Sequence, residues 1–403
     1  MVKKFTVVCL INFLIAALMG LALRYAFVGD IGVNYRFLTH AHSHVAMLGW
    51  VYLMLFALIV HYFIPDKKPV FTRLFWLTEI AVIGMLLSFP FQGYAAVSIT
   101  YSTLHILCSY YFVYLVWKHH KTASVVIQYL LKTALVYMVL STIGVWCLGP
   151  AVSMLGQASA FYQIAIQFFL HFQFNGWFLI AVIAVFFHVF QVEDSKLFRR
   201  FFKLLVASTV LTLALPIQWF APHNLLLYGN GLGTILQLLM GYYFLKLIQP
   251  KFSTVLKQRP KLVTHLFWFS ICCFVLKIGL QLLGLFPEFS QLVYTHRNLV
   301  VGFIHLLMLG VITGFLFLFI IQSPLVRQSK SLYMGIYTFI SGFVLTELLL
   351  AIQGVKFYFG NGLVPNYYLL LFLFSILLPL GIGFLLYNII TQKNYATQTA
   401  KTT

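Results

Sequence analysis

Three histidines stand five residues ahead of a glycine: His44 before Gly49, His171 before Gly176 and His305 before Gly310. Neutral imidazole is the commonest metal ligand among side chains, binding haem iron and copper through one ring nitrogen. The first of the three closes a triplet, His40, His42 and His44. A helix turns about 100° per residue, so His40 and His44 share a face and can meet one metal, while His42 points to the other side. A His-x-His on a helix therefore suits ligands for two centres on opposite sides. His105, in an apolar stretch further on, is another candidate ligand. The metal-ligand candidates are thus His40, His42, His44, His105, His171 and His305.

These residues are embedded in elements made for lipid. Of the 403 residues 62% are apolar, 18% aromatic and only 8% charged, and the mean hydropathy is +0.96. A soluble domain is about one-quarter charged, so the composition excludes both a water-soluble globule and a disordered chain. It points to an all-α polytopic membrane protein with the lipid bilayer as its surroundings. A span needs roughly 20 apolar residues. Twelve candidates satisfy this, at about 5–28, 40–64, 73–96, 99–117, 125–148, 160–190, 201–220, 223–247, 262–285, 297–323, 331–352 and 366–390. The whole chain reads as a single transmembrane domain.

The net charge of +19 does not signal nucleic acid, because the basic residues sit in short gaps between apolar runs. With Lys3 and Lys4 inside, alternate gaps and the termini hold 20 Lys and Arg residues, including Lys67, Lys257, Lys393 and Lys401. The other gaps hold only Arg36, Arg297 and Lys356, while Arg24, Lys132 and Lys277 fall within spans. That asymmetry predicts both termini in the cytoplasm of a plasma membrane, the inner membrane if the cell is bacterial. The five cysteines are scattered and form no CxxC, so neither a disulfide framework nor a zinc site is indicated.

The histidine motif recurs after 127 and then 134 residues, and one-third of 403 is about 134. It therefore marks the second span of each of three four-span units, at about 1–124, 125–261 and 262–403. Each histidine lies 21 or 22 residues from Pro65, Glu193 or Arg327 at the cytoplasmic boundary, which places all three at one depth near the outer face. Gly49, Gly176 and Gly310 invite close approach by another helix or by a flat ring.

Charges inside the spans are few. Lys277 and Glu347 both lie in the outer half and are expected to pair, or else to serve a haem propionate or a proton path. Glu79 is the one acid of the inner half. Arg24, Arg36 and Arg297 gather at the outer rim, where guanidinium suits carboxylates. The glycine-rich Gly229–Thr234 lies within a span and reads as a packing face.

The twelve spans, the threefold pattern of four and the histidines on spans 2, 6 and 10 resemble subunit I of the haem–copper oxygen and nitric oxide reductases. Locally, His42, His44 and Gly49 are similar to the His-x-His-x-x-x-x-Gly of the NnrS family, twelve-span haem- and copper-containing proteins linked to nitric oxide stress. The resemblance covers the chain in architecture and three short motifs in residues. It implies haem, with copper as a further metal, nitric oxide or oxygen as ligand, and an electron-donor protein or quinone as partner in respiration. Its oxidase branch carries two adjacent histidines on span 7 and a tyrosine four residues after the histidine of span 6. Here 201–220 holds no histidine, and Asn175 follows His171. Four histidines are the expected cofactor ligands: His44 with His305 on a haem, and His42 with His171 at a second centre. An oxidoreductase of the terminal-oxidase type, a haem-based sensor without turnover and a metal or solute transporter are the functions open to such a chain. Transporters favour inverted repeats, whereas successive four-span units keep one orientation, which weighs against the last.

Overall fold

The computed structural model describes residues 2–66, 68–252 and 259–392. Lys67, Lys257, Lys393 and Lys401 of the charge count lie outside the described residues. All regular elements among the described residues are helical. Twelve helices are long and apolar enough to cross a bilayer, and we number them α1 Lys3–Tyr25, α2 Tyr35–Phe63, α3 Pro69–Gln92, α4 Ala96–His119, α5 Val125–Leu155, α6 Ala160–Val189, α7 Lys196–Gln218, α8 Asn224–Lys251, α9 Lys261–Leu283, α10 Arg297–Gln322, α11 Lys330–Tyr358 and α12 Tyr367–Thr391. The chain is an all-α, polytopic integral membrane protein.

Local chemistry sets the helix ends. Asn34, Ser124, Ser159, Ser195 and Ser329 each accept a backbone N–H with their side chain at the start of α2, α5, α6, α7 and α11. Such caps satisfy amide donors that a helix start leaves open. The α3–α4 turn is short because Gly93 takes φ +61°, a left-handed conformation natural to glycine. At one face of the bundle Lys3 Nζ donates to the carbonyl of Gln392, 2.6 Å away, so both ends of the described chain meet there. We refer to this as the terminal face and to its opposite as the distal face. Lys4 lies over Trp76 and Lys246 over Tyr242, at 4.9 and 4.8 Å, pairing cation with aromatic ring in the manner of interfacial anchors.

The twelve helices are not equivalent. In α2, α6 and α10, 83%, 89% and 83% of the apolar stretch is buried, against 33–56% in the other nine, so these three form the centre. The outer helices present large apolar side chains such as Leu87, Phe91 and Leu225 outward, as lipid contact requires.

Each central helix changes its winding at the same motif residue. His44, His171 and His305 each end an α-helical stretch and are followed at once by a π-helical one: Val45–Tyr52, Phe172–Phe178 and Leu306–Thr313. Wide turns of this kind are rare and concentrate at functional sites. Gly49, Gly176 and Gly310 fall inside them, and each meets the helix that precedes its own in the chain. A Cβ on Gly49 would stand 3.0 Å from Asn12 of α1, one on Gly176 2.7 Å from Tyr137 of α5, and one on Gly310 2.8 Å from Cys273 of α9. Asn12 Nδ2 also donates to the carbonyl of Gly49 and to Glu79 Oε2 of α3. Ser141 of α5 donates to Gln173 in the second π stretch. Trp50 Nε1 donates to Thr313 Oγ1 at 2.9 Å, tying the first π stretch to the third.

The glycines are thus sites where another helix comes close. Gly176→Ala is expected to lower stability by about 1–3 kcal/mol, because the obstructing Tyr137 atoms sit at the root of the side chain and α5 itself must shift. Thermal unfolding of the detergent-solubilised chain measures this. A melting temperature equal to wild type would show that α5 can yield without cost.

Candidate functional site

The centre is solid on one side of the histidines and open on the other. Ahead of His44, α2 buries only Leu38 and Ala41; ahead of His171, α6 buries only Ala165; ahead of His305, α10 buries only Gly302. Beyond the histidines nearly every residue of the three helices is buried, down to the terminal face. Central helices ringed by nine others should be buried along their whole length. Their partial exposure in the distal half therefore marks a space inside the bundle, floored by the three π stretches. The histidines stand at that floor, 8 to 11 residues from the distal helix ends, or about 12–17 Å of helical rise.

Backbone carbonyls fix two of the rings. His42 Nδ1 lies 2.8 Å from the carbonyl of Ala16 in α1, and His44 Nδ1 lies 2.8 Å from the carbonyl of His40. A carbonyl only accepts, so each Nδ1 carries the proton and donates it. The lone pair is thereby left on Nε2, the arrangement that second-shell carbonyls impose on metal-binding histidines. Gly20 makes room for the His42 ring; a Cβ there would stand 2.9 Å from His42 Cε1. His44 packs on Phe89, with ring centres 4.4 Å apart, and its Nε2 has only a long 3.4 Å approach from the Tyr94 hydroxyl.

The opposite faces expected for His42 and His44 are present. His305 lies within electrostatic reach of His42 and of Arg24. His44 lies within reach of His105 on α4 and shares Tyr94 and Phe89 with His40. So α2 meets α1 and α10 on the His42 side and α3 and α4 on the His44 side, as its rotation in the bundle sets. His171 belongs to a third environment. Its Nε2 lies 2.6 Å from the carbonyl of Thr209 in α7, so Nε2 donates and Nδ1 is the free acceptor.

His105 is 3% exposed, its Nε2 has no hydrogen-bond partner among the described residues, and its ring meets Tyr52 at 4.6 Å. The Tyr52 hydroxyl and Trp177 Nε1, both in or at the end of π stretches, are likewise buried without partners. Among the described residues no three His, Cys, Asp or Glu side chains converge as a metal-ligand group. The six candidate histidines are therefore distributed over separate sites.

Of the charged residues, Arg36 donates to Gln157 at the distal mouth, and Arg36 and Arg297 both lie within electrostatic reach of His40. Arg24 lies near Tyr35, Tyr367 and Glu347. The expected Lys277–Glu347 ion pair does not form. Glu347 faces α10, with Oε2 3.5 Å from where a Gly302 Cβ would be, whereas Lys277 Nζ has no hydrogen-bond partner among the described residues and lies near His171. Glu347 does lie within electrostatic reach of Cys273, one turn from Lys277 on α9, without closing an ion pair. Glu79 is held by Asn12 at 2.8 Å and so fixes the packing of α1 on α3.

The π stretches and the carbonyl partners Ala16, His40 and Thr209 have no sequence signal of their own. Only the recurring His-x-x-x-x-Gly marked where they lie. No protein-family model matches the chain, and no curated protein matches it significantly.

Proposed function

We propose that the chain is a haem-binding membrane protein, related in plan to haem–copper oxidase subunit I and to NnrS, that handles nitric oxide, oxygen or electrons. The observation that carries this reading is the pair of rings on α2. His42 and His44 donate Nδ1–H to carbonyls and turn their Nε2 lone pairs to opposite sides, at the floor of an internal space. His42 Nε2 and His305, from two central helices, are the residues that would hold a haem between α2 and α10. Haem there supplies one-electron redox chemistry and, where an axial position is open, a gas ligand site.

The protein's own groups have distinct parts in this reading. The carbonyls of Ala16 and His40 orient the imidazoles by accepting hydrogen bonds from their Nδ1–H groups. Arg24, in reach of His42 and His305 alike, supplies the cationic charge that haem carboxylates require. The packed half beyond the π stretches shuts water out from the terminal side. His44 with His105 forms a second candidate centre on the other face of α2. There copper or a second haem iron is the fitting metal, since two imidazoles suit both. Electrons come from a donor protein or a quinone, and the termini lie in the cytoplasm of a plasma membrane, on the evidence of the basic gaps.

Haem and metal analysis of the purified full-length chain tests this. The expected result is at least about one haem iron per chain. Copper or zinc bound without iron would instead favour the transporter reading.

A further inference from the structure

Lys132 lies seven residues past the start of α5 at the terminal face, about 10 Å of helical rise into the span. It is part-exposed and stands on the outward stripe of that helix, which continues through Tyr129, Val136, Val139 and Ile143, all four exposed where lipid would be. An ammonium on a lipid-facing surface at this depth is costly unless it reaches the interface or meets an opposite charge. Side chains on a helix lean towards its N-terminus. Lys132 therefore leans back to the terminal face, while Trp117, two residues before the end of the antiparallel α4, leans inward. The two meet: Lys132 Nζ stands 5.5 Å from the centre of the Trp117 ring, which is 48% exposed.

Among the described residues no ion pair answers that charge. The acids of the terminal face, Asp66, Glu193 and Asp194, lie in the connections ahead of α3 and α7, where Asp66 holds Lys121 and Asp194 holds Arg199. Glu79 is held by Asn12 inside the bundle. Farther into the membrane α4 and α5 are tied again. The Tyr110 hydroxyl lies 2.6 Å from Thr142 Oγ1 and accepts from Trp146 Nε1 at 2.8 Å. Between the two contacts the outward faces carry Tyr114, Val136 and Val139, all exposed. Tyr114 accepts a hydrogen bond from Lys118 Nζ at 3.2 Å, and that ammonium lies over its ring. The result is an apolar seam on the lipid side of the bundle, with two ammonium groups and an indole at its terminal end.

We propose that this seam between α4 and α5 binds an anionic phospholipid of the leaflet at the terminal face. The lipid phosphate meets Lys132 Nζ beside the Trp117 indole, and Lys118 adds positive charge at the rim. The acyl chains follow Val136 and Val139 towards Tyr110 and Trp146. A lipid fits better than a soluble anion because Lys132 is rooted on the lipid-facing stripe, well inside the helix start. The proposal does not rest on haem binding.

The test is native mass spectrometry of the purified full-length chain in neutral detergent, titrated with phosphatidylglycerol and, separately, with phosphatidylcholine and glycerol phosphate. Phosphatidylglycerol should bind more tightly than phosphatidylcholine, and glycerol phosphate, an anionic headgroup without chains, should not displace it. Lys132→Met keeps the stem and removes the charge, and should weaken phosphatidylglycerol binding about fivefold, the worth of one lysine at an anionic surface. Lys132→Arg should retain it. Lys246→Met removes a charge that lies over Tyr242 at the same face, and should leave the affinity within about twofold of wild type. Equal binding of the two phospholipids, displacement by glycerol phosphate, binding unchanged in Lys132→Met, or equal losses in Lys132→Met and Lys246→Met would overturn the proposal.

Discussion

His42→Ala is expected to strip the chain of the haem held between α2 and α10, leaving less than about one-tenth of the wild-type absorbance for that group. Loss of an outer-shell partner alone typically costs 10- to 100-fold in metal affinity, and loss of the ligand itself costs more. Nothing stands ready to replace it: His44 is on the other face with its Nδ1 proton held by His40, and His40 lies beside Tyr94. The fold should survive, because His42 lies in the open distal half, where truncation leaves no dry cavity. His305→Ala should behave alike, whereas His171→Ala should spare this haem, its ring being committed to Thr209. Added imidazole should restore part of the absorbance in His42→Ala. Full haem occupancy in that variant would remove His42 from the assignment.

Oxygen reduction is expected to be slow or absent even with a strong artificial donor, below about 0.1 per second against the roughly 10 per second of a typical enzyme. Rapid four-electron reduction calls for a second metal held by several imidazoles in fixed geometry opposite the haem. No such convergent group exists among the described residues, and α7 carries no histidine. His44 and His105 provide two imidazoles only, and Glu79, the one acid of the terminal half, is already bound to Asn12. Binding of nitric oxide asks less: one iron, one axial histidine and an open face. His44, whose Nε2 has only the long approach of Tyr94, is that ligand in this reading, so His44→Ala should abolish the nitric-oxide-induced spectral change and leave the His42–His305 haem intact. Sustained rapid oxygen consumption with one copper per chain would overturn this expectation and restore a true reductase.

Much of the architecture was legible because lipid imposes simple rules. A run of apolar residues must be a spanning helix when every backbone group has to be satisfied internally, and the twelve runs coincide with α1–α12 to within several residues at most ends. The central place of α2, α6 and α10 was legible from the recurring histidine and glycine. What those glycines do was half legible: close approach was expected, and Asn12, Tyr137 and Cys273 provide it. The π winding was not, since it goes with tertiary partners such as Asn12 on the Gly49 carbonyl and Trp50 on Thr313. Helical periodicity separated His42 from His44 but could not say which neighbour each would meet. That depends on how α2 is rotated in the bundle, and packing against Gly20 and Ala16 decides it. The Lys277–Glu347 pairing failed because shared depth does not by itself bring two side chains into contact.

The optical spectrum of the purified full-length chain, oxidised and then reduced with dithionite, tests the central claim most directly. A Soret band with sharp, resolved α and β bands on reduction, the signature of iron between two imidazoles, is the expected result, with that signature lost in both His42→Ala and His305→Ala. A chain from haem-replete cells that is folded yet shows no absorbance beyond its aromatic residues would contradict it.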